Sequence, residues 1–405
     1  MNFLGKNRHI MILTGEPSGD FHAGTLIKAM KLRKPDLYIS GIGGPCMKAQ
    51  NVELFFSIEQ LSAMGLTEVI FQFKYIKQAF DKFKFRLRSQ KPDLIILIDY
   101  PGFNLKAAQY AKQKYNIPIF YYITPKVWAW KPSRLKQIKK FVDHAALIFP
   151  FEEKLYKKAK IPSTYVGNPL LDDFPEHLTR PFLKKSLVKE SFAKGNISNE
   201  PGLDKTSLYG PTTLSEPTIG LLPGSRKAEI NNLLEIMLVT AQKINNKIKT
   251  AKFLISAASS IHGERIKKIL EPHNKQNIFQ VIQGRPLEIF KQSDLLIAAS
   301  GTVTLEAALC CVPTIIIYKM SSISYQLAKI LVKVKYAGLA NLIAGSEMMP
   351  ELLQEDANPE KISNKVFSML ENLEYHENRL FMVRRLLGGA GASQRAARIA
   401  LDLIK

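Results

Sequence analysis

Two short segments in the second half of the chain carry residue types suited to phosphate chemistry. Leu221-Leu222-Pro223-Gly224-Ser225-Arg226-Lys227-Ala228-Glu229 closes an apolar run, Thr218 to Leu222, and opens a long helical pattern. Ala299-Ser300-Gly301-Thr302-Val303-Thr304-Leu305-Glu306 does the same after Asp294 to Ala298. Where a strand's carboxyl end meets a helix's amino end, unpaired backbone N–H groups and the positive end of the helix dipole hold anions. Gly224, Ser225, Ser300, Gly301 and Thr302 are small enough to admit a ligand to that backbone. Arg226 adds a planar, two-pronged cation, and Glu306, one turn into its helix, is placed to accept ribose hydroxyls. The pair of loops predicts a nucleoside-diphosphate site. Glu229 belongs to it by position, yet an early helical Glu also serves as a capping residue, and both roles stay open.

A second group lies near the amino terminus. Gly15-Glu16-Pro17-Ser18-Gly19-Asp20-Phe21-His22 forms the first strand-to-helix turn, where Gly15 and Gly19 allow tight backbone paths and Ser18 or Asp20 can cap the helix. A capped turn accounts for Gly and Ser but not for Glu16, Asp20 and His22 gathered at one strand end, so these are set down as acceptor-side residues, with Asn341 added from the second half. Asp99 is the sharper candidate. It follows the apolar run Ile95 to Ile98 and begins Asp99-Tyr100-Pro101-Gly102-Phe103-Asn104. A carboxylate at such a strand end is desolvated on one side, which raises its proton affinity toward general-base work. Asn104 is better placed than Asp99 to cap the following helix, which leaves Asp99 for chemistry.

These residues need strands and helices to present them. Apolar runs at Ile10–Thr14, Leu37–Ser40, Leu94–Ile98, Ile119–Ile123, Ala145–Ile148 and Thr164–Val166 alternate with amphipathic stretches. The second half repeats the logic at Thr218–Leu222, Lys252–Ser256, Phe279–Val281, Leu295–Ala298 and Thr314–Tyr318. Continuous apolar runs joined by amphipathic crossovers predict buried parallel strands, hence two doubly wound α/β domains with ligands at the strands' carboxyl ends. The expected layout is a Rossmann-like domain over residues 1–170, an inserted loop over 171–216, a second Rossmann-like domain over 217–375 and carboxyl-terminal helices over 376–405. The stretch from Pro175 to Glu216, rich in Lys, Ser, Gly, Pro and Thr, reads as a mobile surface insertion.

With 405 residues, two cores are needed. Lys+Arg 57 against Asp+Glu 35 gives +22, a charge that suits an anionic substrate, an anionic membrane surface or nucleic acid. Cys46, Cys310 and Cys311 show neither metal-ligand spacing nor a disulfide framework, which predicts a reducing cytoplasm. The start lacks a signal peptide's apolar core and no run reads as a membrane span, so any membrane contact is expected to be peripheral. No RNA-recognition motif accompanies the charge, so nucleic acid is not expected as a partner.

Gly15 to Asp20, Asp99 to Asn104, Thr124-Pro125-Lys126-Val127-Trp128-Ala129-Trp130, Leu222 to Glu229 and Ser300 to Glu306 together resemble lipid-A-disaccharide synthases, in order and through nearly the whole chain. The resemblance implies two Rossmann-like domains facing a central cleft, the GT-B glycosyltransferase type. It also implies transfer from UDP-2,3-diacylglucosamine to 2,3-diacylglucosamine 1-phosphate, giving a β-1,6-linked disaccharide and UDP at the inner face of the inner membrane. Inversion in one displacement needs a base, for which Asp99 is the candidate, and no enzymic nucleophile. No cofactor is implied, and the absence of Asp-x-Asp predicts metal independence, with Arg226 and the loop amides stabilising the departing diphosphate. A dimer built by exchanging carboxyl-terminal segments is a further implication. Asn168, Thr124 and Lys126 depart from the His, Ser and Gln expected at those places. A nucleotide-sugar epimerase would share the fold and the diphosphate loops, and a single-sugar product would distinguish it.

The stretch from Gly65 to Arg88 reads as an amphipathic helix. Val69, Phe73, Ile76, Phe80, Phe83 and Leu87 share a core-directed stripe. Phe71, Tyr75 and Phe85 fall on the other side among Lys74, Lys82 and Arg86, which predicts contact with an anionic bilayer interface.

Overall fold

The computed structural model describes residues 8–62, 69–129, 132–180, 216–274, 277–284, 286–321, 325–326 and 334–404, the side chains of 61–62, 69–73 and 260–261 excepted. The chain forms two compact units, Met1–Asp172 with Gly389–Lys405, and Asp173–Gly388.

The first unit holds a seven-stranded sheet in the order β3-β2-β1-β4-β5-β6-β7. The strands are β1 (His9–Leu13), β2 (Tyr38–Gly43), β3 (Glu53–Ser57), β4 (Leu94–Ile98), β5 (Ile119–Tyr122), β6 (His144–Leu147) and β7 (Ser163–Tyr165). Every pairing is parallel. The apolar runs are continuous because both sheet faces are covered. Met11, Leu13, Ile95 and Leu97 enter the core on one face, while Ile10, Ile12, Leu94, Ile96 and Ile98 enter the core on the other.

The second unit holds a six-stranded parallel sheet, β10-β9-β8-β11-β12-β13. Its strands are β8 (Thr218–Leu222), β9 (Lys252–Ala257), β10 (Phe279–Gln283), β11 (Leu295–Ala299), β12 (Thr314–Tyr318) and β13 (Glu351–Leu353). In both sheets the chain order reverses between the first and fourth strands, β1/β4 and β8/β11. Such a switch point opens a crevice at the carboxyl ends.

Three sequence expectations need correction. The edge strands β3 and β13 were not foreseen. One is capped by Glu53 and Ser57 with only Phe55 and Phe56 buried, and the other is three residues long with none buried, so neither shows a continuous apolar run. The carboxyl-terminal helices do not act as one segment: Leu373–Leu386 belongs to the second unit and Ala392–Asp402 to the first. Ala396, Ala397 and Ala400 are small enough to seat the last helix against Pro17–Arg33 in the first core. The expected insertion does not begin at Pro175 as loose chain. Its first residues are anchored by Arg180, which donates to Asp294 Oδ1 at 2.8 Å, to Glu377 Oε1 at 2.9 Å and to the Ser293 carbonyl. Residues 181–215 lie outside the described residues.

Candidate active site

Strand register decides which residues meet. Leu13 pairs with Leu97 across β1 and β4, so Gly15 and Asp99 stand equally far past the two strand ends. Leu222 pairs with Ala298 across β8 and β11, which gives Gly224 and Ser300 the same relation. Each switch point therefore joins two of the segments singled out in the sequence.

Asp99 and Tyr100 are consecutive non-glycine residues in the left-handed region, with φ of 45° and 43°. Such a pair is costly and persists only where neighbours hold it. Asn104, wholly buried, donates its Nδ2 to the carbonyls of Asp99 at 2.7 Å, Ile98 at 3.1 Å and Leu13 at 3.3 Å. Tyr121, also wholly buried, donates its hydroxyl to the Asp99 carbonyl at 2.7 Å. Asn104 is thus a staple across strand ends and not the helix cap expected of it; Tyr100 occupies the cap position and Pro101 starts the helix. The turn leaves the Asp99 carboxylate half-buried. Desolvation raises its proton affinity and the charge of Glu16 raises it further, against the opposing charges of Lys126 and Arg134. A carboxyl so shifted is a better base than an ordinary aspartate.

The Gly15–His22 turn divides into different jobs. A side chain on Gly15 would run into the Tyr100 ring at 2.2 Å, so glycine is needed for that ring to cover the turn. Gly19 is likewise closed over by the Thr14 hydroxyl. Glu16 and Ser18 are exposed. Asp20 is buried, and it accepts from the backbone N–H groups of Gly44 at 2.7 Å, Cys46 at 2.8 Å and Met47 at 3.1 Å. It caps the turn after β2 rather than its own helix, and its oxygens are committed there. Burial lowers the His22 pKa to about 4, which leaves a neutral imidazole at physiological pH.

In the second unit the two loops differ. Glu229 Oε2 accepts from Ser225 N at 3.1 Å and Arg226 N at 3.2 Å, and Oε1 from Arg226 Nη1 at 3.0 Å. Glu229 caps its own helix start. Because a guanidinium has no acceptor, the cap is one-sided. Those two amides already serve Glu229, whereas the Arg226 side chain is 79% exposed and pairs with Glu229. The Ser300–Thr302 loop is the open one. Gly301 stands at the start of the helix Thr302–Leu309 with no side-chain cap, and space around its Cα is empty. Glu306 is half-buried one turn in.

The model for the lipid-A-disaccharide synthetase family matches residues 10–193 and 200–402 of this chain. The lipid-A-disaccharide synthase of Trichlorobacter lovleyi is 37% identical over 405 residues, 99% of this chain and 99% of that one. The chain belongs to the lipid-A-disaccharide synthetase family. It is a glycosyltransferase of lipid A disaccharide synthesis. Among solved structures, MurG of Acinetobacter baumannii covers 98% of this chain and 99% of its own, with TM-score 0.57 at 15% identity. The UDP-GlcNAc 2-epimerase of Neisseria meningitidis bound to UDP-GlcNAc gives 98%, 99% and 0.57 at 10% identity. At these identities the likeness establishes the fold alone, two Rossmann-like units of the GT-B type.

In this chain the tryptophan segment brings in a residue with no local sequence signal for a site. Glu152 is 1% exposed and accepts from Trp128 Nε1 at 3.1 Å, Phe149 N at 3.1 Å and Ile148 N at 3.2 Å. Trp128 packs edge-on against Phe151 at 5.1 Å and Phe149 at 6.2 Å. Burial pushes the Glu152 pKa up to about 7 against the three donors, which favour the charged form. Its only sequence signal was a Glu in a helix's first turn, which usually marks a cap. Asn168, the departure noted above, is a buried turn residue that accepts from Leu170 N at 3.0 Å.

Another expectation fails on contact. Asn341 is wholly buried and saturated: it donates to Met349 O and Glu351 Oε1, both at 2.7 Å, and accepts from Met348 N and Met349 N. It fixes a loop and offers nothing to an acceptor. Tyr75 is half-buried and packs against the first unit's core, with Ile76 and Phe80. Phe85 is 68% exposed. The Phe71 side chain lies outside the described residues. No described helix is long and apolar enough to cross a membrane.

Proposed function

We propose that this lipid-A-disaccharide synthetase inverts the anomeric carbon of UDP-2,3-diacylglucosamine in one displacement by the 6-hydroxyl of 2,3-diacylglucosamine 1-phosphate. The hydroxyl oxygen forms the new bond to C1, the C1–O bond to the diphosphate breaks, and its electron pair leaves with UDP. Asp99 takes the hydroxyl proton. The observation that carries this reading is the half-buried Asp99 carboxylate on a turn pinned by Asn104 and Tyr121, with its proton affinity raised. The Gly301 and Thr302 amides and the exposed Arg226 receive the diphosphate without a metal; the Ser300 N–H is already given to the Ile317 carbonyl at 3.1 Å. Releasing Arg226 from Glu229 costs little, because the guanidinium stays in solvent and Glu229 keeps its two backbone donors.

The chain works at the inner face of the inner membrane as a peripheral protein. Support comes from Phe85, exposed on a helix whose Lys74, Lys77, Lys82 and Arg88 are exposed too. Incubating purified protein with both diacylglucosamine substrates and weighing the products tests the reading. A disaccharide 1-phosphate from wild type and none from Asp99→Asn is the expected result; a single-sugar product would point to epimerisation instead.

A further inference from the structure

A chamber of about 440 Å³ opens beside the Ser300–Thr302 loop, at the carboxyl ends of β12 and β13. Ser300, Tyr318, Met320, Tyr336 and Leu353 are among the residues that line it. The volume is that of a pocket for a small-molecule group. Two of its polar groups, the Glu351 carboxylate and the Gln354 Oε1, are already engaged. Glu351 accepts from Ala337 N at 2.8 Å, Gly338 N at 2.9 Å and Asn341 Nδ2 at 2.7 Å. Gln354 Oε1 accepts from Met320 N at 3.0 Å. Lys335, on the rim, is exposed and lies over the Tyr336 ring at 5.0 Å. What the walls offer a guest is therefore ring faces, a thioether and methyl groups, which reward an apolar ligand and give a sugar few partners.

We propose that this chamber seats an acyl chain of the nucleotide-sugar donor, entering past Ser300 while the diphosphate sits on the adjoining loop. The proposal rests on the donor reading above. Its occupant follows from position: Ser300 belongs to both the chamber and the diphosphate loop, so the guest must be tethered to a group held there. Asn341 thereby acquires its use, since by bonding Glu351 it neutralises the polar demand of the chamber wall.

Filling the chamber tests this. Met320→Trp and Ala337→Leu each take up its volume, and neither residue is placed in the diphosphate site. Binding of UDP alone and of UDP-glucosamines with increasing short acyl chains, below micelle-forming length, is measured by calorimetry. In the wild type each added methylene should tighten binding by about fourfold until the chamber is full. Both variants should lose that dependence while UDP affinity stays within about twofold, which also shows that they are folded. An unchanged chain-length dependence in the variants, or an equal loss of UDP and acylated donor, overturns the chamber. Arg226→Ala separates the two readings: UDP affinity indifferent to that change would sink the diphosphate site, whereas the chain-length dependence tests the chamber alone.

Discussion

Deleting the two donors that hold the Asp99 carbonyl, singly and together, tests whether the strained turn is what makes the base. Two left-handed residues cost about 1–2 kcal/mol each, so the turn stores roughly 2–4 kcal/mol. Tyr121→Phe removes one hydrogen bond at 2.7 Å and leaves the carbonyl paired to Asn104. That bond is worth about 0.5–1.5 kcal/mol net, and the Asn104 bonds remain to hold the turn against its strain, so the turn should survive. The corresponding loss in kcat/KM is at most about tenfold. Asn104→Ala removes donors to three carbonyls but leaves the Tyr121 bond, and should cost more, about 2–4 kcal/mol, because a buried carbonyl loses its partner. In the double variant the Asp99 carbonyl is orphaned, strain wins, and turnover should fall to the level of Asp99→Asn, some 10²-fold or more below wild type. Steady-state disaccharide formation for the four proteins, with circular dichroism to confirm folding, gives the cycle. Adding Asp99→Asn to the double variant should then change nothing. If the double variant loses only the product of the single losses, and Asp99→Asn still lowers it further, the turn is not the device that positions the base.

Three further outcomes follow from the same geometry. Because burial and Glu16 raise the Asp99 proton affinity, activity should fall on acidification at a pH above the ordinary carboxylate range; Glu16→Gln should move that limb to lower pH and Lys126→Gln to higher pH, and limbs that stay put would remove Asp99 from the profile. Arg226→Ala should weaken UDP binding while a chelator leaves activity intact, whereas loss of activity on chelation with recovery in magnesium would overturn the metal-free displacement. Glu152 gains a proton as pH falls through about 7, and Trp128 then loses a charged acceptor. Tryptophan emission should therefore titrate near that pH in the wild type and not in Glu152→Gln, and a flat wild-type profile from pH 6 to 8, the range set by the Glu152 value of about 7, would refute it.

Much of the architecture was legible along the chain because the physical signal was local. Strands buried on both faces, such as Leu94–Ile98 and Thr218–Leu222, must be apolar at every position, and small residues past their ends mark where helices begin. Asp99, Gly224 and Ser300 could therefore be placed at strand ends from sequence alone. Strands β3 and β13 could not, since neither presents a continuous apolar run. What a polar side chain does was decided by tertiary contacts. Asp20 and Glu306 both follow a glycine-containing turn into a helix, yet only the fold brings the Gly44–Met47 amides onto Asp20 and consumes it. Asn104 read as a cap because caps are local, but its partners include Leu13, supplied by register between β1 and β4. Glu152 was silent because its meaning comes from Trp128, which lies 24 residues earlier and meets it only when β5 and β6 pair. Apolar burial is a property of a residue and its periodicity, so sequence determines it; the use of a hydrogen-bonding group depends on which partner arrives, and that only the folded chain decides.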